Sequence, residues 1–198
     1  MTLPSDEEIR ALHEKYAPTA AAFELVQTHC RIVCEIAEQL IVTNDLAVDV
    51  ELVRAGSLLH DIGVYRLYDV GGELDPTDYI RHGILGEEVL RDLGLPDALG
   101  RFCSHHTGVG LTRDDIQRQR LPLPPGDFLP ESVEEELVLY ADKFHSKRGA
   151  GVFVSADTYA TSVRRFGPDN VRRFAALRQR YGVPDLGALA QATGHALS

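Results

Sequence analysis

The residues with the clearest chemical potential lie at positions 57–63, which read S-L-L-H-D-I-G. His60 continues a stripe of apolar residues, at steps of three and four positions, that begins at Val53. Burying His60 and Asp61 costs free energy unless something compensates it. A divalent cation does so, because a neutral imidazole and an ionised carboxylate are both good ligands. The pattern therefore predicts a pair of metal ligands, with Gly63 as a place for the helix to end.

Further side chains of ligand type fall on predicted helices or helix ends. Each has a simpler explanation when taken alone. A histidine on an inward helix face is usually a core residue bonded to a carbonyl, and a histidine at a helix C-terminus interacts favourably with the helix dipole. It is their number that favours a shared site. These residues are His29, His82, His105, His106 and Asp142.

The elements that must position them read as helix after helix. Ser5 with Glu8, and Ser132 with Glu135, have the spacing of capping boxes, and Asp49 caps the helix that carries His60. Prolines at positions 96, 168 and 184 are placed to begin further helices. No alternating strand pattern of useful length occurs. We therefore predict an all-α fold, a helical bundle with short connecting loops and extra C-terminal helices.

Length and composition set the outer limits of that fold. The 198 residues, 44% of them hydrophobic, suffice for one well-buried core, so a single domain spanning 1–198 is expected. The sequence has neither a long apolar stretch nor the basic and apolar regions of a signal peptide, which predicts a cytoplasmic protein without a membrane partner. Three cysteines argue against a disulfide framework, and we interpret Cys30 and Cys34 as small buried apolar residues.

The net charge of −10 is unevenly distributed. Up to Asp142 the chain holds eleven Lys and Arg against twenty-seven Asp and Glu, whereas the remainder holds nine against three. An acidic body is a poor match for a nucleic-acid backbone, so no nucleic-acid partner is expected. The basic C-terminal segment has two explanations that stay open. It attracts a small phosphorylated ligand, or its helices lie on the acidic body of the same chain.

Taken together, these residues follow the order H…HD…H…H…D, and the HD pair continues as His-Asp-Ile-Gly. In this the chain resembles the HD superfamily of metal-dependent phosphohydrolases. The resemblance covers about residues 20–149, which makes 150–198 a basic helical extension of an HD core. It implies that His29, His60, Asp61 and Asp142 hold one metal ion. His82 and His106 complete a second site, with Asp61 bridging and acting in catalysis.

Within the superfamily, the stretches around His29, His60, His106 and Asp142 look most like symmetrical dinucleoside tetraphosphate hydrolases, which use two iron ions. The segment from Leu121 to Asp142 is closer to an uncharacterised HD subfamily. Mixed imidazole and carboxylate ligands suit Fe, Mn, Co, Ni or Zn better than Mg. The resemblance also makes the cations Lys143 and Arg148 contacts for a substrate phosphate. Arg81 is a weaker candidate, for which we prefer a solvated surface charge.

The sequence therefore predicts hydrolysis of a phosphate ester or anhydride of a nucleotide-like small molecule, with two metal ions activating the water. Val64 stands where HD nucleotidases acting on monophosphates often have Glu, which counts against that activity. Two other functions remain open: a mixed-valence di-iron oxygenase, which uses the same ligands, and a non-catalytic HD interaction module. The role of His105 beside His106 and the presence of a homodimer also stay open.

Overall fold

The computed structural model describes residues 2–149 and 151–198. The backbone of these residues is predominantly helical, which confirms the all-α prediction. Short 3₁₀ segments connect several of the helices, among them Ile62–Leu67 and Tyr79–Arg81. The helices are α1 (Asp6–Tyr16), α2 (Ala20–Asn44), α3 (Val50–Leu59), α4 (His82–Asp92), α5 (Asp97–Ser104), α6 (Arg113–Gln119), α7 (Val133–Asp142), α8 (Ala156–Ser162), α9 (Pro168–Tyr181) and α10 (Gly187–Thr193).

Helix α2 is the central element, and it is long because nothing in its 25 residues breaks the helix before Asp45, which adopts a left-handed conformation at φ 50°. Its inward face is apolar, and Val26, Val33 and Ile36 are fully buried. Helices α3 and α7 pack against it, and α4 packs against α5 and the 3₁₀ segment after α3. This arrangement brings the ends of several helices close to the middle of α2.

Helix α3 ends earlier than its sequence predicts. It stops at Leu59, and Gly63 lies within the 3₁₀ segment that follows. The prediction that Gly63 ends the helix is therefore wrong. The glycine is needed for a close approach, because a Cβ atom there would lie 2.1 Å from the carbonyl oxygen of His82 and 2.2 Å from the amide nitrogen of Gly86. Gly63 thus lets the segment after the HD pair contact α4.

Other boundaries differ in smaller ways. Ser132 caps α7, but Glu135 does not return the bond of a capping box, because its carboxylate accepts hydrogen bonds from Arg101 and from the amide of Glu131. The last helix begins at Gly187, after Pro184. Helix α8 was not predicted, and neither was the small sheet described next.

The small sheet joins the segment after α7 to the far end of the chain. Its two-residue strands are β1 (His145–Ser146), β2 (Val152–Phe153) and β3 (Ala196–Leu197). Strand β2 is antiparallel to β1 and parallel to β3. Cys30 and Cys34 are buried, as interpreted from the sequence, and so is Cys103; all three are free thiols. None of the described helices is both long enough and apolar enough to cross a bilayer.

Candidate metal centre

The six ligands implied by the resemblance come from five helices or helix ends, and the fold brings them together. Residues up to 113 positions apart in the chain thereby surround one point beside the middle of α2. Five of the six side chains are buried, and Asp142 is 15% exposed. They are His29 in α2, His60 and Asp61 after α3, His82 at the start of α4, His106 after α5, and Asp142 at the end of α7.

The ligand atoms form two overlapping groups. His29, His60 and Asp142 make one group, and His60, Asp61 and His106 make the other. Within the first, Nε2 of His29 lies 3.0 Å from Oδ1 of Asp142 and 3.2 Å from Nε2 of His60. Nε2 of His29 also lies 3.1 Å from Oδ2 of Asp61, which links the two groups.

His82 completes the second group. Its Nε2 atom lies 3.0 Å from Nε2 of His106, and both nitrogens are 3.5 Å from Oδ1 of Asp61. The two oxygens of Asp61 therefore face different sets of histidines. This is the arrangement that a bridging carboxylate needs.

Three of the histidines have their tautomer determined by a backbone carbonyl. His60 donates its Nδ1–H to Ser57 O at 2.7 Å, and His106 donates to Phe102 O at 2.9 Å. His82 donates in the same way to the carbonyl of residue 79 at 2.6 Å. Because a carbonyl only accepts, Nδ1 carries the proton in each ring, and Nε2 of the neutral ring presents a lone pair.

The centre therefore collects acceptors without enough donors. Imidazole lone pairs and carboxylate oxygens converge, and the buried Oδ1 of Asp61 has no hydrogen-bond donor among the described residues. An unpaired buried carboxylate oxygen is costly, and divalent cations held by these side chains would compensate that cost. The donor set thus fits a transition metal.

The electrostatics of the cluster also favour positive charge. Burial alone would raise the pKa of Asp61, but the positive charge of Lys147 holds it well below its usual value. Burial would likewise raise the pKa of Asp142, but the positive charge of Lys143 holds it well below its usual range. Burial lowers the pKa of His82 to about 3, which keeps that imidazole neutral and able to bind a metal.

His105 lies apart from this cluster. Its Nδ1 atom faces Glu135 Oε2 at 3.7 Å, and its ring packs near Phe128. The structure thus places His106, and not His105, among the ligand atoms. Arg81 makes a half-exposed ion pair with Asp78, in line with the surface charge we preferred for it.

The predicted phosphate contacts occupy two different environments. Lys143 is buried, and its ammonium group donates to Asp142 Oδ2 at 2.6 Å and to the carbonyl of His106 at 3.0 Å. Arg148 is exposed at the edge of a cleft. Lys143 therefore holds the Asp142 side chain and the His106 backbone in place. The exposed Arg148 side chain can instead reach a small molecule bound in the cleft.

Three residues near the centre were not singled out from the sequence. The Lys147 ammonium group contacts Asp61 Oδ2 directly, His145 contacts His29, and His195 contacts His145. Lys147 lies five residues after Asp142, within the stretch that was matched to the family. This location is the sequence signal that could have marked Lys147 as a candidate site residue. Nothing in the sequence marks His195, which is 166 residues from His29.

A cleft of about 780 Å³ opens onto the centre, with His29 and Asp142 among its lining residues. The cationic side chains of Lys143, Lys147 and two arginines line it as well. Four serine and threonine side chains add polar groups to the lining, and much of the remaining wall is apolar or aromatic. The apolar and aromatic residues include Leu25, Val64, Leu74, Tyr79, Val152, Val154 and Tyr159.

Comparison with solved structures shows a shared fold. The HD domain of the Listeria monocytogenes phosphodiesterase PgpH matches 96% of this chain and 100% of its own, with a TM-score of 0.55 and 15% identity. The same domain in complex with cyclic-di-AMP matches 93% of this chain and 96% of its own, with a TM-score of 0.52.

Sequence relatives include proteins with and without a described activity. An uncharacterized protein of Methanocaldococcus jannaschii is 42% identical over 130 residues, which are 63% of this chain and 70% of that protein. A tRNA (cytidine(56)-2'-O)-methyltransferase of Picrophilus torridus is 34% identical over 63% of this chain, and one of Thermoplasma volcanium is 29% identical over 71%. This chain spans only about a third of the length of those two enzymes, 33% and 36%.

The family model for the HD domain matches residues 26–147, well over half of the chain. The matched range contains every one of the six ligand side chains described above. The chain therefore belongs to the HD-domain superfamily of metal-dependent phosphohydrolases.

Proposed function

We propose that this chain hydrolyses a phosphate ester or anhydride of a nucleotide-like small molecule, using two divalent transition-metal ions held by His29, His60, Asp61, His82, His106 and Asp142. The observation that carries the proposal is the position of the buried lone-pair cluster at the base of a cationic cleft. Phosphate hydrolysis needs an activated water and a counter-charge for the phosphoryl oxygens, and bound metal ions supply both.

The side chains of the cleft have distinct tasks in this proposal. Lys147 stands next to Asp61, where its ammonium group meets a phosphoryl oxygen placed at the cluster. Arg148 and Arg165 line the cleft further out and make no ion pair with a described carboxylate. They are therefore available to a second phosphate group or to the outer end of a longer substrate.

The apolar side of the cleft suits the organic part of the substrate. Tyr79 and Tyr159 are partly exposed aromatic rings there, and Val64 and Leu74 extend the apolar wall. A nucleobase gains binding energy by contact with such surfaces. The PgpH domain, which shares this fold, has been crystallised with a cyclic dinucleotide, and this supports a nucleotide-like substrate.

The nature of the ligands bears on the metal. Four imidazoles and two carboxylates form a mixed nitrogen and oxygen set, which favours Fe, Mn, Co, Ni or Zn over Mg. We propose iron as the physiological metal, from the resemblance to the di-iron hydrolases.

The test is a matrix of metals and substrates on the purified chain, prepared without air and loaded with Fe²⁺ or Mn²⁺. The panel contains nucleoside mono-, di- and triphosphates, symmetrical dinucleoside tetraphosphates and cyclic dinucleotides, and bond cleavage is followed by chromatography. We expect anaerobic, metal-dependent hydrolysis that Asp61→Asn abolishes. Turnover that requires oxygen would indicate an oxygenase instead. A chain that neither binds metal nor turns over any substrate would indicate an interaction module.

A further inference from the structure

His29 differs from the other three histidines of the metal centre in what holds its second nitrogen. In His60, His82 and His106, Nδ1 donates to a backbone carbonyl of the same local turn. Nδ1 of His29 instead faces another imidazole, Nδ1 of His145, at 2.9 Å. A carbonyl determines a tautomer by itself, whereas an imidazole nitrogen either donates or accepts. The tautomer of His29 therefore depends on His145.

His145 is in turn held by a third ring. It is buried between His29 and His195, with ring centroids 5.2 Å from each and interplanar angles of 28° and 17°. Its Nε2 atom lies 3.0 Å from Nδ1 of His195. Three imidazoles thus form a row that starts at a metal ligand and ends at the partly exposed ring of His195.

Only one distribution of protons in this row leaves His29 able to bind a cation. Nε2 of His29 must present its lone pair, so its Nδ1 carries the proton and donates to Nδ1 of His145. The proton of a neutral His145 then lies on Nε2 and is donated to Nδ1 of His195. The reverse direction puts the proton of His29 on Nε2, facing the two carboxylates, where it occupies the position of the metal.

We propose that His145 and His195 are positioning residues that hold His29 in its metal-binding tautomer. The inference rests on the proposed function only in taking His29 as a metal ligand. It gives His195, which lies beyond the range 26–147 matched by the family model, a direct part in forming the metal centre.

The local backbone is arranged to bring His195 to this place. Strand β3 follows it immediately and pairs with β2, which pairs with the strand that contains His145. Gly151 makes room for the ring, since a Cβ atom at that position would lie 2.6 Å from Cε1 of His195. The sheet contributes the buried Phe153 to the core, and its strand pairing also places the two histidines side by side.

The first test compares two amides at position 145. In His145→Asn the side-chain oxygen lies near the place of Nδ1 and still accepts from His29. In His145→Gln the amide lies near the place of Nε2, so His29 loses its acceptor. Mn²⁺ affinity, measured by competition titration, should fall about 10- to 100-fold in the Gln variant and stay close to wild type in the Asn variant.

A second pair of variants tests His195, the less buried of the two rings. His195→Ala removes the acceptor for His145, whereas His195→Asn keeps an oxygen near the place of Nδ1. We expect weaker Mn²⁺ binding in the Ala variant, by less than in His145→Gln, and recovery in the Asn variant. Leu197 is half-exposed on strand β3, which follows His195. Leu197→Ala is therefore the control for disturbance of that strand, and it should bind Mn²⁺ as the wild type does.

The tautomers themselves are read by ¹⁵N NMR of the Zn²⁺-loaded chain labelled at histidine. We expect one proton on Nδ1 of His29 and another on Nε2 of His145. In His145→Gln the Nδ1 proton of His29 should exchange rapidly with water, so that its signal disappears. Equal Mn²⁺ affinity in the Asn and Gln variants, or a proton on Nδ1 of His145, would overturn the proposal. Neither reading depends on catalysis, so a chain that fails to hydrolyse any nucleotide still gives a result.

Discussion

At the scale of single residues, the metal centre depends on which atom each side chain presents. Backbone carbonyls take the Nδ1 protons of His60, His82 and His106, so their Nε2 lone pairs meet at the carboxylates. Asp61 contributes one oxygen to each side of the cluster. The two halves of the centre are therefore not equivalent, and substitutions should separate them.

The first prediction concerns this difference. Asp61→Ala should lose most of the metal, because both groups of ligands share that carboxylate. His82→Ala removes a ligand from the second group alone, so it should keep about one of two metal ions per chain, with reduced activity. His105→Ala should change metal content less than His106→Ala. Elemental analysis and assays of the four variants decide the matter, and two metal ions at full rate in His82→Ala would contradict a two-metal centre.

A second prediction separates the cations of the cleft. Lys147 touches Asp61 from the cleft side, so Lys147→Ala should lower kcat by about 100-fold while the chain keeps its metal. Lys143 supports Asp142, so Lys143→Ala should lower metal content as well as substrate affinity. Arg148→Ala should raise KM and leave metal content unchanged. Steady-state kinetics beside metal analysis measure all three, and unchanged kinetics in Arg148→Ala would return that residue to a surface charge.

At the scale of elements, a buried carboxylate joins the C-terminal helices to the rest of the bundle. Asp115 caps α6 through Thr112 and accepts from Arg173 of α9 at 2.6 Å. Asn170 of α9 donates to its other oxygen at 3.3 Å. Burial would raise the pKa of Asp115, but Arg173 and Thr112 hold it well below its usual value. Ionised Asp115 therefore stabilises the folded chain.

The third prediction is a pH dependence with a definite sign. Asp115→Asn should lower the free energy of unfolding at pH 7 by about 1.5–3 kcal/mol, the cost of losing hydrogen bonds to a charged group. Because the folded pKa of Asp115 is depressed, its contribution is complete above the unfolded value of about 3.9 and is lost as the pH falls towards the folded value. Urea unfolding between pH 7 and 3 measures the difference in unfolding free energy between the wild type and Asp115→Asn. A difference that grows below pH 4 would contradict the prediction.

At the scale of the whole molecule, the uneven charge has a structural explanation. Arg173 and Arg180 of α9 pair with Asp115 and with Glu136 of α7, so a basic helix lies on the acidic body. That is one of the two explanations left open by the sequence. The other explanation was that basic residues attract a small phosphorylated ligand. Arg165, which follows α8 and lines the cleft, is in a position to do so. Both therefore have structural support, at different residues.

The last prediction tests whether the chain unfolds as the single domain expected from its length. Phe174 of α9 is buried, with its ring centroid 5.9 Å from that of Tyr140 in α7. Phe174→Ala should lower stability by about 3–5 kcal/mol in one cooperative transition. Val183→Ala, at a half-exposed side chain, is the matched control. Hydrogen exchange should show α7 destabilised along with α9. Opening of α9 alone would indicate a separate unit.

The sequence by itself determined the fold class and the residue types of the candidate ligands. Local signals suffice for helices, because caps and apolar periodicity act within a few residues, and Ser5 and Asp49 cap the helices as predicted. The spacing of His29, His60, Asp61, His82, His106 and Asp142 is a family pattern, so their types and order could be recognised in the chain. The prediction that the helix ends at Gly63 was wrong. A glycine is needed there because the backbone of α4, which is distant in sequence, approaches too closely for a side chain.

Only the tertiary structure decided what surrounds those ligands. The choice of His106 over His105 follows from the direction in which α5 ends, which residue types do not reveal. Lys147 contacts Asp61 across 86 residues of sequence, and His195 contacts His145 across 50. Such contacts are products of packing between elements, and a sequence records the side chains but not the distances that packing leaves between them.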